Sequence, residues 1–265
     1  MGLFGRKKAQ KTSQGQAPKT HRLLRLAKMP AAIYAVGDIH GCADLYDALE
    51  KKIVADGDQF EGTKLIVSLG DVVDRGGASA AVIDRLMSPA PKGFKRLVLR
   101  GNHEDMMIKF MSDPDANRKW LDFGGTETLA SYGLSPDPEV RFDLPASRLR
   151  HMMDAAIPES HRKFLKELPL ALSVGPYRFA HASYQRDTPL EDQQPETLMW
   201  GAPQNADAGS ADHVFVHGHV VVDKPFVSKK RINVDTGAYS SGVLSAVRLT
   251  AEKEDKQLLT VTLAN

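Results

Sequence analysis

Gly70-Asp71-Val72-Val73-Asp74-Arg75-Gly76 follows at once on an apolar run at residues 65–69. A short β-branched run of this kind reads as a buried strand, and the Gly-Asp step as the turn that ends it. The same pairing recurs along the chain. Residues 33–36 run into Gly37-Asp38-Ile39-His40-Gly41, residues 97–99 into Arg100-Gly101-Asn102-His103-Glu104, residues 177–180 into His181, and residues 214–216 into His217-Gly218-His219. Helical spacing fills the gaps between the first three, with Leu45, Leu49 and Ile53 as one stripe and Val82, Ile83, Leu86 and Met87 as another. The order β-α-β-α-β predicts an α/β core. Ligands of open α/β sheets bind beyond the carboxyl ends of the strands. Each of these strand ends delivers a side chain able to bind metal or transfer a proton.

The remaining organisation is read from composition. The chain has 265 residues, 42% hydrophobic and 26% charged, which suits a globular protein with a sizeable core. No apolar run is long enough for an integral membrane segment. One cysteine, Cys42, cannot form an intrachain disulfide or a thiolate cage, which fits a cytoplasmic setting. Residues 1–37 hold eight Lys/Arg and no Asp or Glu, leaving 27 basic against 33 acidic side chains elsewhere. The basic balance is therefore a property of the N-terminus, and it argues for no nucleic-acid partner. Residues 1–30 read as a basic tail too polar to bury a core. Within it, Leu23, Leu24 and Leu26 alternate with Arg22, Arg25 and Lys28. That stretch reads as a frayed leader, with a short amphipathic helix touching an anionic surface as the alternative. Residues 31–265 read as the catalytic domain, interrupted by a helical insertion over 112–170 in which residues 149–168 are helical and Phe164, Leu165 and Leu168 pack inward. Residues 243–249 and 258–263 read as a closing hairpin.

Asp38 and His40 lie two apart at a strand end, so both can reach one ion. Asp71 has two oxygens and can bridge two. Asn102 offers an amide oxygen; His181 and His219 offer imidazoles. This sulfur-free N/O set favours Mn, Fe, Zn or Mg. Two cations ~3.5–4 Å apart lower the pKa of a shared water and clamp the attacking and leaving oxygens of an in-line displacement. Such chemistry needs an acid for the leaving alkoxide. His103 is placed for it, with Asp74 as the carboxylate that orients it. Arg75 can grip phosphate oxygens bidentately. His217 is read as a histidine that is either structural or a support behind the metal ligands.

The three blocks Gly37-Asp38-Ile39-His40-Gly41, Gly70-Asp71-Val72-Val73-Asp74-Arg75-Gly76 and Gly101-Asn102-His103-Glu104 together resemble the PPP-type serine/threonine phosphatases of the calcineurin-like metallophosphoesterases. The likeness spans residues 31–249 and is greatest to the bacterial members related to the bacteriophage lambda-type phosphatase. Gly124-Gly125-Thr126-Glu127-Thr128-Leu129, residues 158–169 and Asp235-Thr236-Gly237-Ala238-Tyr239 add to it. The resemblance implies a sandwich of two mixed β-sheets flanked by helices. It implies a first metal on Asp38, His40 and Asp71, and a second on Asp71, Asn102, His181 and His219. Two divalent ions, Mn foremost with Fe or Zn as alternatives, would serve hydrolysis of a phosphorylated protein or small phosphoester.

The chain departs from that pattern where close relatives carry a second phosphate arginine. Gln185 and Ala202 stand at those positions, and Arg186, one residue away, is the candidate substitute. Its alternative is an exposed loop arginine paired with Asp187 or water. Two other functions remain open at this stage: diadenosine-tetraphosphatase-like hydrolysis of nucleotides, and phospho-ligand binding without turnover.

Overall fold

Strand β2 (Ala32–Val36) is buried at every position, and its two faces enter different cores. Ala32, Tyr34 and Val36 join a core beneath the helices, whereas Ile33 and Ala35 join a core between two sheets. Strand β3 (Lys64–Ser68) divides the same way, with Ile66 on one side and Leu65 and Val67 on the other. Side chains alternate along a strand, so a sheet covered on both faces reads as an unbroken apolar run.

The computed structural model describes residues 23–134, 144–252 and 255–262. Two mixed sheets form the sandwich. The first runs β11 (Lys256–Thr262), β10 (Val243–Leu249), β2, β3 and β4 (Phe94–Val98). Its β2, β3 and β4 are parallel, and β10 is antiparallel to both β2 and β11. The second runs β1 (Leu23–Leu26), β5 (Ala171–Val174), β6 (Tyr177–Ala180), β7 (Val214–His217), β9 (Arg231–Asn233) and β8 (Phe226–Val227). Leu172, Phe179, Val216 and Ile232 of this sheet meet Ile33, Val67 and Leu249 of the first.

Helices cover the outer faces. Helix α1 (Ala43–Gly57) buries Leu45, Leu49 and Ile53, and α2 (Ser79–Met87) buries Val82, Ile83 and Leu86 against the first sheet. Helix α3 (Asn102–Ser112) follows β4. The insertion consists of a 3-10 turn (Arg118–Phe123), α4 (Gly125–Ser131), α5 (Ala146–Ala156) and α6 (Glu159–Glu167). It joins the same core through Trp120, Leu129, Met153 and Leu165. On the far side, Leu198 and Met199 of α7 (Pro195–Trp200) pack on Ala171, Ala180 and Phe215. A single helical turn, α8 (Ala238–Ser241), precedes β10.

One boundary differs from the sequence reading. Residues 23–26 are neither leader nor helix but strand β1, parallel to β5 with Leu23 opposite Ala171 and Leu26 opposite Val174. Leu24 faces the core between the sheets and Leu23 the outer one. The partner strand lies far away in sequence, so local polarity gave no sign of it. The expected tail over residues 1–22 and the prolines Pro136 and Pro138 lie outside the described residues.

Candidate metal centre

The described non-glycine residues with positive φ are His40, Asp71, Asp74, Arg75 and His219. All of them come from the turns that follow β2, β3 and β7, and all are residues singled out from the sequence. Left-handed backbone costs roughly 1–3 kcal/mol per residue and persists where the surroundings over-determine it. Here the restraint is visible. Ile39 and His40 donate their amides to the Asp71 carbonyl at 3.1 and 2.9 Å. The Glu104 carboxylate accepts the amides of Asp71, Val72, Val73 and Gly101 at 2.9, 2.7, 3.2 and 2.8 Å. Glu104 is the third residue of α3 and reaches back to the residue before the helix, as capping glutamates do. The sequence reading quoted Glu104 but gave it no role; that spacing was the available signal.

Two motif glycines act by close approach. A Cβ at Gly101 would lie 2.1 Å from Asp71 Oδ1, and one at Gly218 would lie 2.0 Å from Asp38 Oδ1. Their bare backbones let the turns close around the carboxylates.

The strand ends converge. Asp71 Oδ2 lies 3.3 Å from His181 Nε2, 3.7 Å from His40 Nε2 and 3.9 Å from His103 Nε2. Asn102 Oδ1 lies 2.8 Å from His181 Nε2 and 3.0 Å from His219 Nδ1, and the two imidazole nitrogens are 3.1 Å apart. His40 Nδ1 is tied to the Val73 carbonyl at 2.8 Å and His181 Nδ1 to the Leu69 carbonyl at 3.0 Å. Each ring therefore donates through Nδ1 and turns Nε2 inward, the orientation a metal-binding imidazole needs. Burial would lower His181, but Asp71 and Glu104 outweigh it and raise the imidazole, so a cation bound at its Nε2 would replace a proton there. Asp38 borders this group, with Oδ2 accepting the His219 amide at 3.1 Å and Oδ1 4.0 Å from His181 Nδ1.

The electrostatics call for positive charge. Burial, then the charges of Asp235 and Asp71, push the Asp38 carboxyl well above its usual range. Burial and Asp71 raise Glu104 to about 7. Burial would also raise Asp71, but His181, His103 and His40 together hold it well below the carboxylate range. Burial pushes His40 down to about 3, and burial with His181 pushes His219 down to about 4, so both present neutral lone pairs. Converging lone pairs among buried carboxylates fit hard or borderline divalent cations, and the donor set matches Mn, Fe or Zn. Asp38, His40 and Asp71 would hold one ion, and Asp71, Asn102, His181 and His219 the other.

Beside the cluster, His103 Nδ1 donates to Asp74 Oδ2 at 2.7 Å. Burial lowers His103, but Asp71 and Asp74 outweigh it and raise the imidazole above its ordinary value. Asp74 Oδ2 also accepts Trp120 Nε1–H at 2.7 Å, and Oδ1 accepts the Thr128 hydroxyl at 2.7 Å. Arg75 bridges the two halves, its Nη1 3.1 Å from His40 Nε2 and its Nη2 3.2 Å from His103 Nε2. The Tyr239 ring lies 4.5 Å beneath its guanidinium carbon and edge-on to His40. An adjoining cavity of about 310 Å³ is lined by Arg75, Phe123, Gly124, Glu127 and Tyr239.

Arg186 is not brought here. Its guanidinium is buried, and it donates to the carbonyls of Ala206, Ala211, His213 and Lys230 at 2.8, 2.8, 2.5 and 3.0 Å. The reading of Arg186 as a substitute phosphate ligand is corrected: its donors are spent on backbone. The alternative of an exposed arginine is met only in part: Arg186 is buried, while the Asp187 charge lies close enough to act on it and itself accepts the amides of Ser210 and Ala211. His217 stacks on Phe215 and is bonded to the Gly218 carbonyl, with the charges of His181 and His219 acting on it.

Comparison with known proteins bears on this geometry. The family model described as calcineurin-like phosphoesterase matches residues 31–242. The chain is 27% identical over 226 residues to serine/threonine-protein phosphatase 2 of Escherichia coli K12, covering 82% of this chain and 92% of that protein. It is 28% identical over 237 residues to the asymmetrical bis(5'-nucleosyl)-tetraphosphatase PrpE of Geobacillus sp. WCH70, covering 80% and 88%. A solved structure assigned as a diadenosine tetraphosphatase superposes with a TM-score of 0.60 at 18% identity, covering 91% and 97%. That last likeness concerns the fold.

Proposed function

Because this chain belongs to the calcineurin-like phosphoesterase family, we propose that it hydrolyses phosphomonoesters of seryl and threonyl side chains in proteins. When bound, two divalent cations, Mn foremost, supply acidity to an attacking water and neutralise charge on the phosphoryl group. The chain's own residues do the rest. Arg75, with one end at His40 and the other at His103, grips the phosphoryl oxygens, and Tyr239 keeps its guanidinium in that plane. His103 Nε2 delivers a proton to the departing alkoxide while Asp74 holds Nδ1–H.

The observation that carries this reading is the buried Asp74–His103 pair with its Nε2 beside Arg75. A seryl alkoxide is a poor leaving group and gains much from a positioned acid. The phosphate released from a dinucleoside polyphosphate is already a stable anion and gains less. The second reading, hydrolysis of dinucleoside tetraphosphates, draws support from the PrpE relatives, whose identity matches that of the protein phosphatase.

The test uses the full chain with Mn²⁺ and three substrates: a phosphoserine peptide, diadenosine tetraphosphate and p-nitrophenyl phosphate. Phosphate release with the peptide as preferred substrate supports the proposal. A larger kcat/KM on the dinucleotide replaces it with the second reading. Metal uptake without turnover of any of the three would leave a phospho-ligand-binding protein.

A further inference from the structure

The insertion carries a motif that the reaction as described does not use: Trp120, Gly124-Gly125 and Thr128. Trp120 and Thr128 are 1% and 0% exposed, and both end on the carboxylate of Asp74. We infer that Trp120 and Thr128 are positioning residues for the acid step, holding Asp74 so that His103 presents Nε2 to the leaving group.

The geometry argues this in three parts. Asp74 Oδ2 takes two donors, His103 Nδ1 and Trp120 Nε1, each at 2.7 Å. Asp74 Oδ1 takes the Thr128 hydroxyl at 2.7 Å, and the same Thr128 oxygen accepts the Asp74 amide at 2.8 Å. With both oxygens accepting, Asp74 serves as acceptor toward His103 and holds its Nδ1–H, while Asp71 and Asp74 favour the doubly protonated ring. The proton it delivers is the one on Nε2, which faces Arg75 and Asp71. A carboxylate fixed by further donors is what keeps a catalytic imidazole in one tautomer and one orientation.

Next, the insertion is shaped to deliver these groups. The Trp120 ring packs on Phe110 at 4.9 Å, and a Cβ at Gly125 would lie 2.5 Å from its Cδ2. Gly124 has φ +103°, and its carbonyl accepts the Arg75 amide at 3.3 Å. One turn of backbone thus braces both the orienting carboxylate and the phosphate-gripping arginine.

Finally, the donors are directional. A tryptophan kept for bulk alone has no need of an indole N–H aimed at a carboxylate that already has a histidine donor. Burial raises the Asp74 carboxyl, and the bonds from His103, Thr128 and Trp120 each oppose that rise.

This inference rests on the proposed phosphomonoesterase activity, and the experiment separates the two. Trp120→Phe, Thr128→Val and Thr128→Ser full-length proteins are assayed with Mn²⁺ on a phosphoserine peptide and on p-nitrophenyl phosphate. Losing one donor to a charged group should lower kcat on the peptide about 10- to 100-fold in Trp120→Phe and Thr128→Val, with KM little changed. The aryl ester, whose leaving group hardly needs a proton, should fall far less, and Thr128→Ser should stay near the parent. An equal fall on both substrates marks a packing role and overturns the inference, as does an unchanged peptide rate. If Trp120→Phe does not fold, the Thr128 pair decides. A parent that turns over neither phosphomonoester sinks the proposed activity and this inference with it.

Discussion

Glu104 Oε2 accepts the backbone amide of Asp71 at 2.9 Å, so a residue of α3 sets the backbone of the carboxylate proposed to bridge two cations. Asp71 in turn accepts the His103 amide through Oδ1 at 3.0 Å. The turns after β3 and β4 are thus locked reciprocally, and the left-handed φ of Asp71 is held from both sides.

Asp71→Asn should remove most activity and weaken both metal sites, since a neutral amide offers one oxygen and no charge to the His181 and His40 nitrogens. Metal stoichiometry after gel filtration, read beside the rate, checks this. Two tightly bound ions at full rate would show that Asp71 is no bridge.

His103→Asn should depress turnover of a phosphoserine peptide by about 10²–10⁴-fold, the scale of a positioned proton donor. The loss should be smaller on p-nitrophenyl phosphate. Equal losses on the two esters would make His103 a group that positions water or metal.

Arg186→Ala should destabilise without touching KM. The substitution strands buried carbonyls of Ala206 and His213, and an unsatisfied buried polar group costs about 1–3 kcal/mol. Urea denaturation should show a loss of roughly 2–4 kcal/mol, with KM for p-nitrophenyl phosphate at the parent value. A raised KM at parental stability would return Arg186 to the substrate site.

The share of stability that His213 and His217 contribute should fall as the medium is acidified below the ordinary histidine range. Burial, with Arg186 and Arg178 close by, pushes His213 from 6.5 down to about 4, and burial pushes His217 down to about 3. Between those values the unfolded chain binds protons that the folded chain refuses. The contribution is therefore complete above 6.5 and is lost as pH falls toward 4. His213 Nε2 is buried without a hydrogen-bond partner, so His213→Phe removes a titrating group and no bond to it. The urea midpoint of His213→Phe should change less than the parent's between about pH 7.5 and about pH 5. Parallel midpoints would show that His213 does not titrate on unfolding.

The sequence by itself determined the order of the central strands' elements and the residues at their ends. Each apolar run and the polar turn after it are adjacent in the chain, and the period of two with its abrupt end is a local signal. That is why Asp38, His40, Asp71, Asn102, His181 and His219 were legible as a set; His40, Asp71, Asn102, His181 and His219 come together, and Asp38 borders them. The closing hairpin and the two amphipathic stripes were legible for the same reason, save Met87, which the end of α2 leaves exposed.

Tertiary structure alone decided the rest, because those outcomes depend on partners remote in sequence. Leu23–Leu26 is a strand only because β5 offers it a free edge. Arg186 carries the same charge wherever its loop goes; what fixed its fate is that Ala206, Ala211, His213 and Lys230 bring carbonyls to it. Trp120 reads as core in any periodicity, since its bulk is apolar. That its one polar atom meets Asp74, 46 positions away, follows from how the insertion packs on α3 and the β3 turn. Hydrophobic pattern fixes which residues are inside; direction of a hydrogen bond is fixed only when both partners are in place.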